Sequence, residues 1–540
     1  MSPRRALLLA CGATLALAVQ TLSAQGPRAL DKKLIEYGWD VPYPDFVRDH
    51  IREIEKLPFD GLIFKLRGGG NVMTPKAFDE AKYAQDFAVC PQIQWGTFTD
   101  NFVILWAASD QDWFDDAHWQ AIEHNARLMA RAARLARCVG ICFDHEPYGT
   151  NPWAYNQAKH KATKGFPEYE AKVRQRGAQF VRAVESEFPG LTILTFFQLS
   201  YFSELLVPMD PAKREQSLSS QYYSLLPAFL NGMLDAASPA VTVVDGNESA
   251  YYYTDNRSHL EVYHRVTQRA KLLVDPALWG RYRNQVQVGQ ALYVDQYFGL
   301  RANKVLGHYM PADDQRKWFE HNVYWSLYTT DKYVWCYSER MNWWTDKDVP
   351  PGSADAIRAA RQKLAEGKPL GFDMAPLVAV AQARQKEEIA SRLKLRSAEI
   401  PGRAANTPKP AIDGRLDDPA WEKAAALEPF VALASRPAKL TAETKAKVTY
   451  DSEALYLAVR CDEPKPDAVR AAGTGHDDAG IWQGDDVELL LSAAGGTVPF
   501  THFMVNPKGV AWDARHTPEV DLTFSPPWER AVASEASVPL

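Results

Sequence analysis

The sequence predicts a (β/α)8 barrel followed by a β-sandwich, and three observations carry that prediction. Apolar strand-like runs alternate with helical patterns eight times over about 340 residues. A Pro/Ala/Thr/Asn stretch at 401–410 then breaks the pattern. Beyond it the chain reads as short alternating strands, the pattern of a sandwich. A chain of 540 residues exceeds one ordinary core, so separate domains are expected. The layout read from these features is a signal peptide at 1–24, a barrel at 27–370, a helical linker at 371–407 and a sandwich at 408–540.

The leader has a positive start at Arg4 and Arg5, an apolar stretch at 6–19 and a small-residue cleavage site at Leu22-Ser23-Ala24. It predicts a secreted or periplasmic protein. No later segment has the ~20 apolar residues that span a bilayer. Barrel strands are predicted at 34–39, 59–66, 102–107, 139–143, 191–198, 241–244, 285–294 and 333–337. Helices fall between them at 44–57, 115–136, 168–188, 221–237, 257–273 and 313–328, with a last one at 354–366. In the first helix Val47, His50, Ile51 and Ile54 recur at helical spacing. A doubly wound open sheet is disfavoured, because no Gly-x-Gly-x-x-Gly follows the first strand.

In a parallel barrel the C-terminal strand ends converge on one face. Here those ends carry Trp39 and Asp40; Lys65; Trp106; Asp144, His145 and Glu146; Gln198; Asp245 and Glu248; Asp295; and Glu339. Carboxylates stand at five of the eight ends. Aromatic residues sit beside them: Tyr37, Tyr148, Tyr201, Tyr251, Tyr297, Trp343 and Trp344. Side chains two apart on a strand share a face, so Asp144 and Glu146 point one way and His145 the other. A catalytic metal on Asp144, His145 and Glu146 is therefore disfavoured. The five cysteines after the leader form no disulfide framework, and Cys138 with Cys142 lacks a second ligand pair for zinc.

Acids on a rim rich in flat rings match the needs of glycoside cleavage. One carboxylic acid protonates the leaving oxygen, and a second carboxylate attacks the anomeric carbon or activates water. Glu146 is the first candidate for the acid/base. Its partner is left open among Glu248, Asp245, Glu339 and Asp144. Candidate substrate contacts are Trp39, Asp40, Trp106, Tyr148, Gln198, Tyr201, Asp295 and Trp343. The net charge of −6 argues against nucleic acid as a partner.

Two resemblances bear on the barrel. Glu146-Pro147 is similar to the Asn-Glu-Pro of the large (β/α)8 glycosidase clan, whose Glu is the acid/base. His145 replaces the Asn, and Asp295 stands where that clan has a nucleophile Glu. Asp144-His145-Glu146 is also similar to the Asp-x-Glu of family 18 chitinases. There Glu is the acid, and Asp steadies a substrate acetamido group that acts as nucleophile.

The C-terminal segment resembles the family 9 carbohydrate-binding modules. The residues that carry this are Ile412-Asp413-Gly414-Arg415-Leu416-Asp417-Asp418-Pro419-Ala420-Trp421, Val448-Thr449-Tyr450-Asp451, Leu455-Tyr456-Leu457-Ala458-Val459, Trp482-Gln483-Gly484-Asp485-Asp486-Val487-Glu488-Leu489 and Val505-Asn506-Pro507-Lys508-Gly509. The resemblance implies sugar binding by stacking, with Trp482 as platform, and structural calcium. It also implies further strands beyond Leu540. No cofactor is expected for catalysis.

The function expected from the sequence is a secreted glycoside hydrolase on a polysaccharide or oligosaccharide. The alternatives are a non-catalytic glycan-binding surface protein, or a metal-dependent deacetylase or lyase.

Overall fold

The structure, a computed structural model, describes residues 31–301, 304–393, 398–430, 442–492, 500–516 and 523–524. The leader assigned to 1–24 lies outside them. Two compact units are present, one running through Gln385 and one starting at Lys386.

The first unit is the barrel. Its strands are β1 (Lys33–Gly38), β2 (Gly61–Phe64), β3 (Phe102–Trp106), β4 (Gly140–Asp144), β5 (Thr192–Thr195), β6 (Thr242–Asp245), β7 (Val286–Val288), β8 (Gln290–Tyr293) and β9 (Tyr333–Ser338). All their pairings are parallel, in the order β7-β6-β5-β4-β3-β2-β1-β9-β8. The run predicted as one seventh strand at 285–294 is divided at Gly289. Its first half pairs with β6 and its second with β9. One bent stretch of chain therefore supplies both ends of the sheet, and nine pieces make an eight-stranded barrel. The bend needs glycine: a β-carbon on Gly289 would lie 2.9 Å from Val244 Cγ1 and 3.0 Å from the Gly246 Cα.

The helices follow from their apolar stripes and caps. Pro44–Ile54 starts on a proline and buries Val47, Ile51 and Ile54. Asp116–Leu135 is capped by Asp115, whose carboxylate accepts the His118 N–H. The helix predicted at 257–273 is α-helical only over Asn256–His264; it widens into a π turn at Arg265–Arg269 and tightens into a 3-10 turn at Ala270–Leu273. A helix at Pro211–Ser219 was not expected; Asp210 caps it.

The strand that ends in the acidic triplet is fixed from both faces. Phe143 points outward onto Phe180 and Phe229 of two covering helices, at 4.7 and 5.9 Å between ring centroids. At its start Gly140 touches β5 so closely that a β-carbon would lie 1.8 Å from the Thr192 carbonyl oxygen. Alternation then carries Asp144 and Glu146 to the opposite side from Phe143.

The second unit holds two antiparallel sheets, as a sandwich requires. One is formed by β10 (Ala425–Leu427), β11 (Thr444–Tyr450) and β12 (Leu455–Cys461). The other is formed by β13 (Val487–Leu491), β14 (Phe500–Val505), β15 (Ala511–His516) and β16 (Thr523–Phe524). Ile481, Met504, Trp512 and Ala514 pack into its small core.

Candidate active site

At the C-terminal ends of the barrel strands lies a cleft of about 240 Å³. Three acids line it: Glu146 after β4, Glu248 after β6 and Glu339 after β9. Its floor is aromatic. Phe196 stacks on Trp335 at 4.3 Å, Tyr37 on Tyr337 at 5.6 Å, and Tyr251 on Tyr337 at 5.8 Å. Trp39, 66% exposed, and Tyr148, 63% exposed, stand at the mouth. Rings left so open beside carboxylates offer flat platforms for a sugar face.

Glu146 is linked to Asp144 through Tyr148. Its hydroxyl lies 2.7 Å from Glu146 Oε2 and 3.0 Å from Asp144 Oδ2. Those two carboxyl oxygens are thus no farther apart than both bonds laid end to end, about 5.7 Å. Asp144 Oδ1 accepts the Glu146 N–H at 2.8 Å. Asp144 is wholly buried, and burial with the nearby Glu146 charge pushes its carboxyl up to about 8. Burial, with the charges of Glu146 and Asp144, likewise pushes Glu248 up to about 8. Both shifts favour the protonated acid toward neutral pH. The Tyr148 hydroxyl faces both carboxyls as a donor, and its single proton is shared between Asp144 and Glu146. Burial and the two flanking acids hold the Tyr148 hydroxyl in its protonated form.

Glu146, Glu248, Glu339, Trp39 and Tyr148, all marked in the sequence, meet in the cleft, and Asp144 lies directly behind Tyr148. Tyr37 and Tyr251, noted as aromatics at strand ends, line it as well, but the remaining candidate acids and substrate contacts do not. Asp245 is fully buried, and its carboxylate is occupied by the Gln198 and Ser200 N–H groups and the Ser200 hydroxyl. It ties the loop after β5 to β6 and does not face substrate. Gln198 is buried in the same loop. Asp295 is buried and accepts the Glu339 and Arg340 N–H groups, so it sets the backbone that presents Glu339. Asp40 accepts the Trp343 N–H, and the Trp343 ring is buried edge-on against Phe59. Tyr201 packs among Phe197, Phe202 and Tyr223, and Trp106 against Gly70. Tyr297, noted as an aromatic at a strand end, is buried against Trp318 and Phe319. His145 sits in a cage of Trp153, Phe197 and Tyr223 on the face away from Glu146. Burial drives it down to about 3, so it stays neutral.

Sequence reasoning missed Phe196, Tyr252, Tyr293, Arg301, Trp335 and Tyr337, all of which line the cleft. The signal for two of them was present: Trp335 and Tyr337 alternate along β9, as residues on one strand face must. It also missed Glu36, an acid inside β1. Glu36 is fully buried with neither carboxyl oxygen hydrogen-bonded to a donor among the described residues. It contacts Asp40, and burial pushes both acids up, Asp40 to about 6. Such raised carboxyls stabilise the fold below the unfolded-state values, and that contribution is lost as pH rises through the folded ones. Glu36→Gln is thus expected to melt like the parent near pH 4. Above pH 7 it should melt higher than the parent. Calorimetry across pH 4–8 checks this, and parallel pH profiles would count against the pairing.

In the second unit Trp482 is half exposed, with Trp512 and His502 against its edges at 4.9 and 5.5 Å. Among the described residues, His476, Asp477 and Asp513 bring donor atoms within 4.8 Å of one another. An imidazole donor does not fit calcium, which takes oxygen ligands. No helix among the described residues is long and apolar enough to cross a membrane.

No family model and no curated protein matches the chain. Solved structures that it resembles include glycoside hydrolases and a sugar phosphate isomerase/epimerase from Parabacteroides distasonis. A GH18 chitinase from Pseudoalteromonas aurantia shares 12% identity over 62% of this chain and 100% of its own, with a TM-score of 0.32. A GH5-4 broad specificity endoglucanase from Clostridum cellulovorans shares 12% over 58% and 86%, with a TM-score of 0.33. GH5_18 from Streptomyces cattleya, in complex with GlcNAc, shares 13% over 68% and 92%, with a TM-score of 0.37. Similarity of this degree transfers no chemistry, so function has to be argued from the cleft.

Proposed function

We propose that the barrel is a glycoside hydrolase acting on a polysaccharide or oligosaccharide. One observation carries this reading: Glu146 and Glu248 line the same aromatic cleft, and burial beside neighbouring acids raises Glu248 to about 8. Glu248, raised to about 8, is the proton donor to the leaving oxygen. Glu146, which accepts from the Tyr148 hydroxyl, is the carboxylate that attacks the anomeric carbon or activates water. Asp144 positions Glu146 through the backbone and through Tyr148. Its two oxygens are both engaged there, which argues against its contacting a substrate acetamido group directly. The leader-like segment supports secretion. The half-exposed Trp482 supports a sugar-binding role for the second unit.

The test is release of new reducing ends from a panel of plant, algal and microbial glycans by the purified chain. Release by the parent, and none by the Glu146→Gln/Glu248→Gln double variant, supports the reading. Full binding without turnover in the parent would instead favour a non-catalytic glycan-binding protein.

A further inference from the structure

The three acids of the cleft share it with one lining cation, while at the mouth Arg340 lies 6.0 Å from the Trp39 ring centroid. Among the described residues lining the cleft, Arg301 alone is positively charged. Its guanidinium lies over the Tyr293 ring, 5.4 Å from the centroid, and that ring also lines the cleft. No carboxylate among the described residues comes within ion-pair reach of Arg301, although Glu146, Glu248 and Glu339 share the cavity with it. A half-buried arginine that rests on an aromatic face and stays apart from neighbouring glutamates is free to meet a charge brought in by a ligand. Its planar fork matches the paired oxygens of a carboxylate or sulfate.

Building on the glycosidase reading, we propose that the cleft selects a sugar ring bearing an oxyanion, either a uronate carboxylate or a sulfate ester, and that Arg301 is the residue that selects it. The ring stacks on the open tryptophan and tyrosines while its anionic substituent points to Arg301. The chain's net charge of −6 gives a polyanion no long-range attraction, so recognition is confined to the one ring beside Arg301. Glu146 and Glu339 disfavour an oxyanion placed anywhere else in the cleft, which fixes the orientation of the bound ring.

The test titrates the full chain carrying Glu146→Gln with matched oligosaccharides: uronate-bearing, sulfated and neutral. At least a tenfold tighter Kd for one oxyanion class over its neutral counterpart is expected. Arg301→Gln should erase that preference, and Arg301→Lys should keep part of it by retaining charge without the fork. Preference for the uronate assigns a carboxylate, and preference for the sulfated ring a sulfate. Equal or tighter binding of neutral sugars, a preference that survives Arg301→Gln in a variant with a normal melt, or no binding of any class overturns the proposal. Because this variant need not turn substrate over, selective binding without hydrolysis by the parent chain would sink the glycosidase reading and leave the role of Arg301 standing. Hydrolysis that favours neutral sugars would do the reverse.

Discussion

Glu146→Gln is expected to lower kcat/KM by roughly 10³-fold or more on every substrate the barrel cleaves, whatever the leaving group. Glutamine keeps the shape of the side chain and can still accept from Tyr148, which lies 2.7 Å from the carboxylate. The fold should therefore be little changed, with the melting temperature within a few degrees of the parent. What disappears is the negative charge, and with it either the nucleophile or the base. In Glu146→Gly, which does open space where the carboxylate stood, a small anion such as azide, added in excess, is expected to restore part of the turnover. Activity of Glu146→Gln above a tenth of the parent's would remove Glu146 from the mechanism. Tyr148→Phe should sit between parent and Glu146→Gln, because it removes the hydroxyl that donates to Asp144 and Glu146 while leaving the carboxylate in place.

The placement of Glu146 was legible because it depends on a short-range rule. Alternation along β4 separates Asp144 and Glu146 from His145, and the aromatic cage around His145 is its consequence. The eight-unit rhythm was legible for the same reason, since each unit carries its own apolar stripe. What could not be read was long-range. Asp245 and Asp295 sit at strand ends like Glu248 and Glu339, yet they turn to backbone N–H groups of neighbouring loops 44 to 47 residues away in sequence. A loop acid that braces a neighbour and one that faces substrate are the same letter in a sequence. Glu36 was hidden for the opposite reason: an acid in the middle of an apolar strand reads as solvent-facing, whereas here the pair it forms with Asp40 keeps it buried. The division of the seventh strand at Gly289 was hidden because it serves barrel closure, a property of the whole sheet.

Glu248→Gln is expected to fail differently from Glu146→Gln, and that difference assigns the roles. If Glu248 protonates the leaving oxygen, its loss should cost roughly 10²–10⁴-fold on natural glycans, whose leaving groups need a proton. On a dinitrophenyl glycoside, whose leaving group departs as an anion, the loss should be under about tenfold. Glu146→Gln should be slow on both. The pH profile gives the sign independently. Glu248 is raised to about 8, so the donor is present below that value, and kcat/KM on natural glycans should fall as pH rises through it. Asp144 is raised to the same region, so the observed limb belongs to the coupled set. Asp144→Asn separates them: the limb should persist without Asp144 and vanish without Glu248. A limb that survives Glu248→Gln would move the proton donor to another group. Reversed leaving-group behaviour in the two variants would exchange the roles, with Glu146 as the acid and Glu248 as the group that attacks.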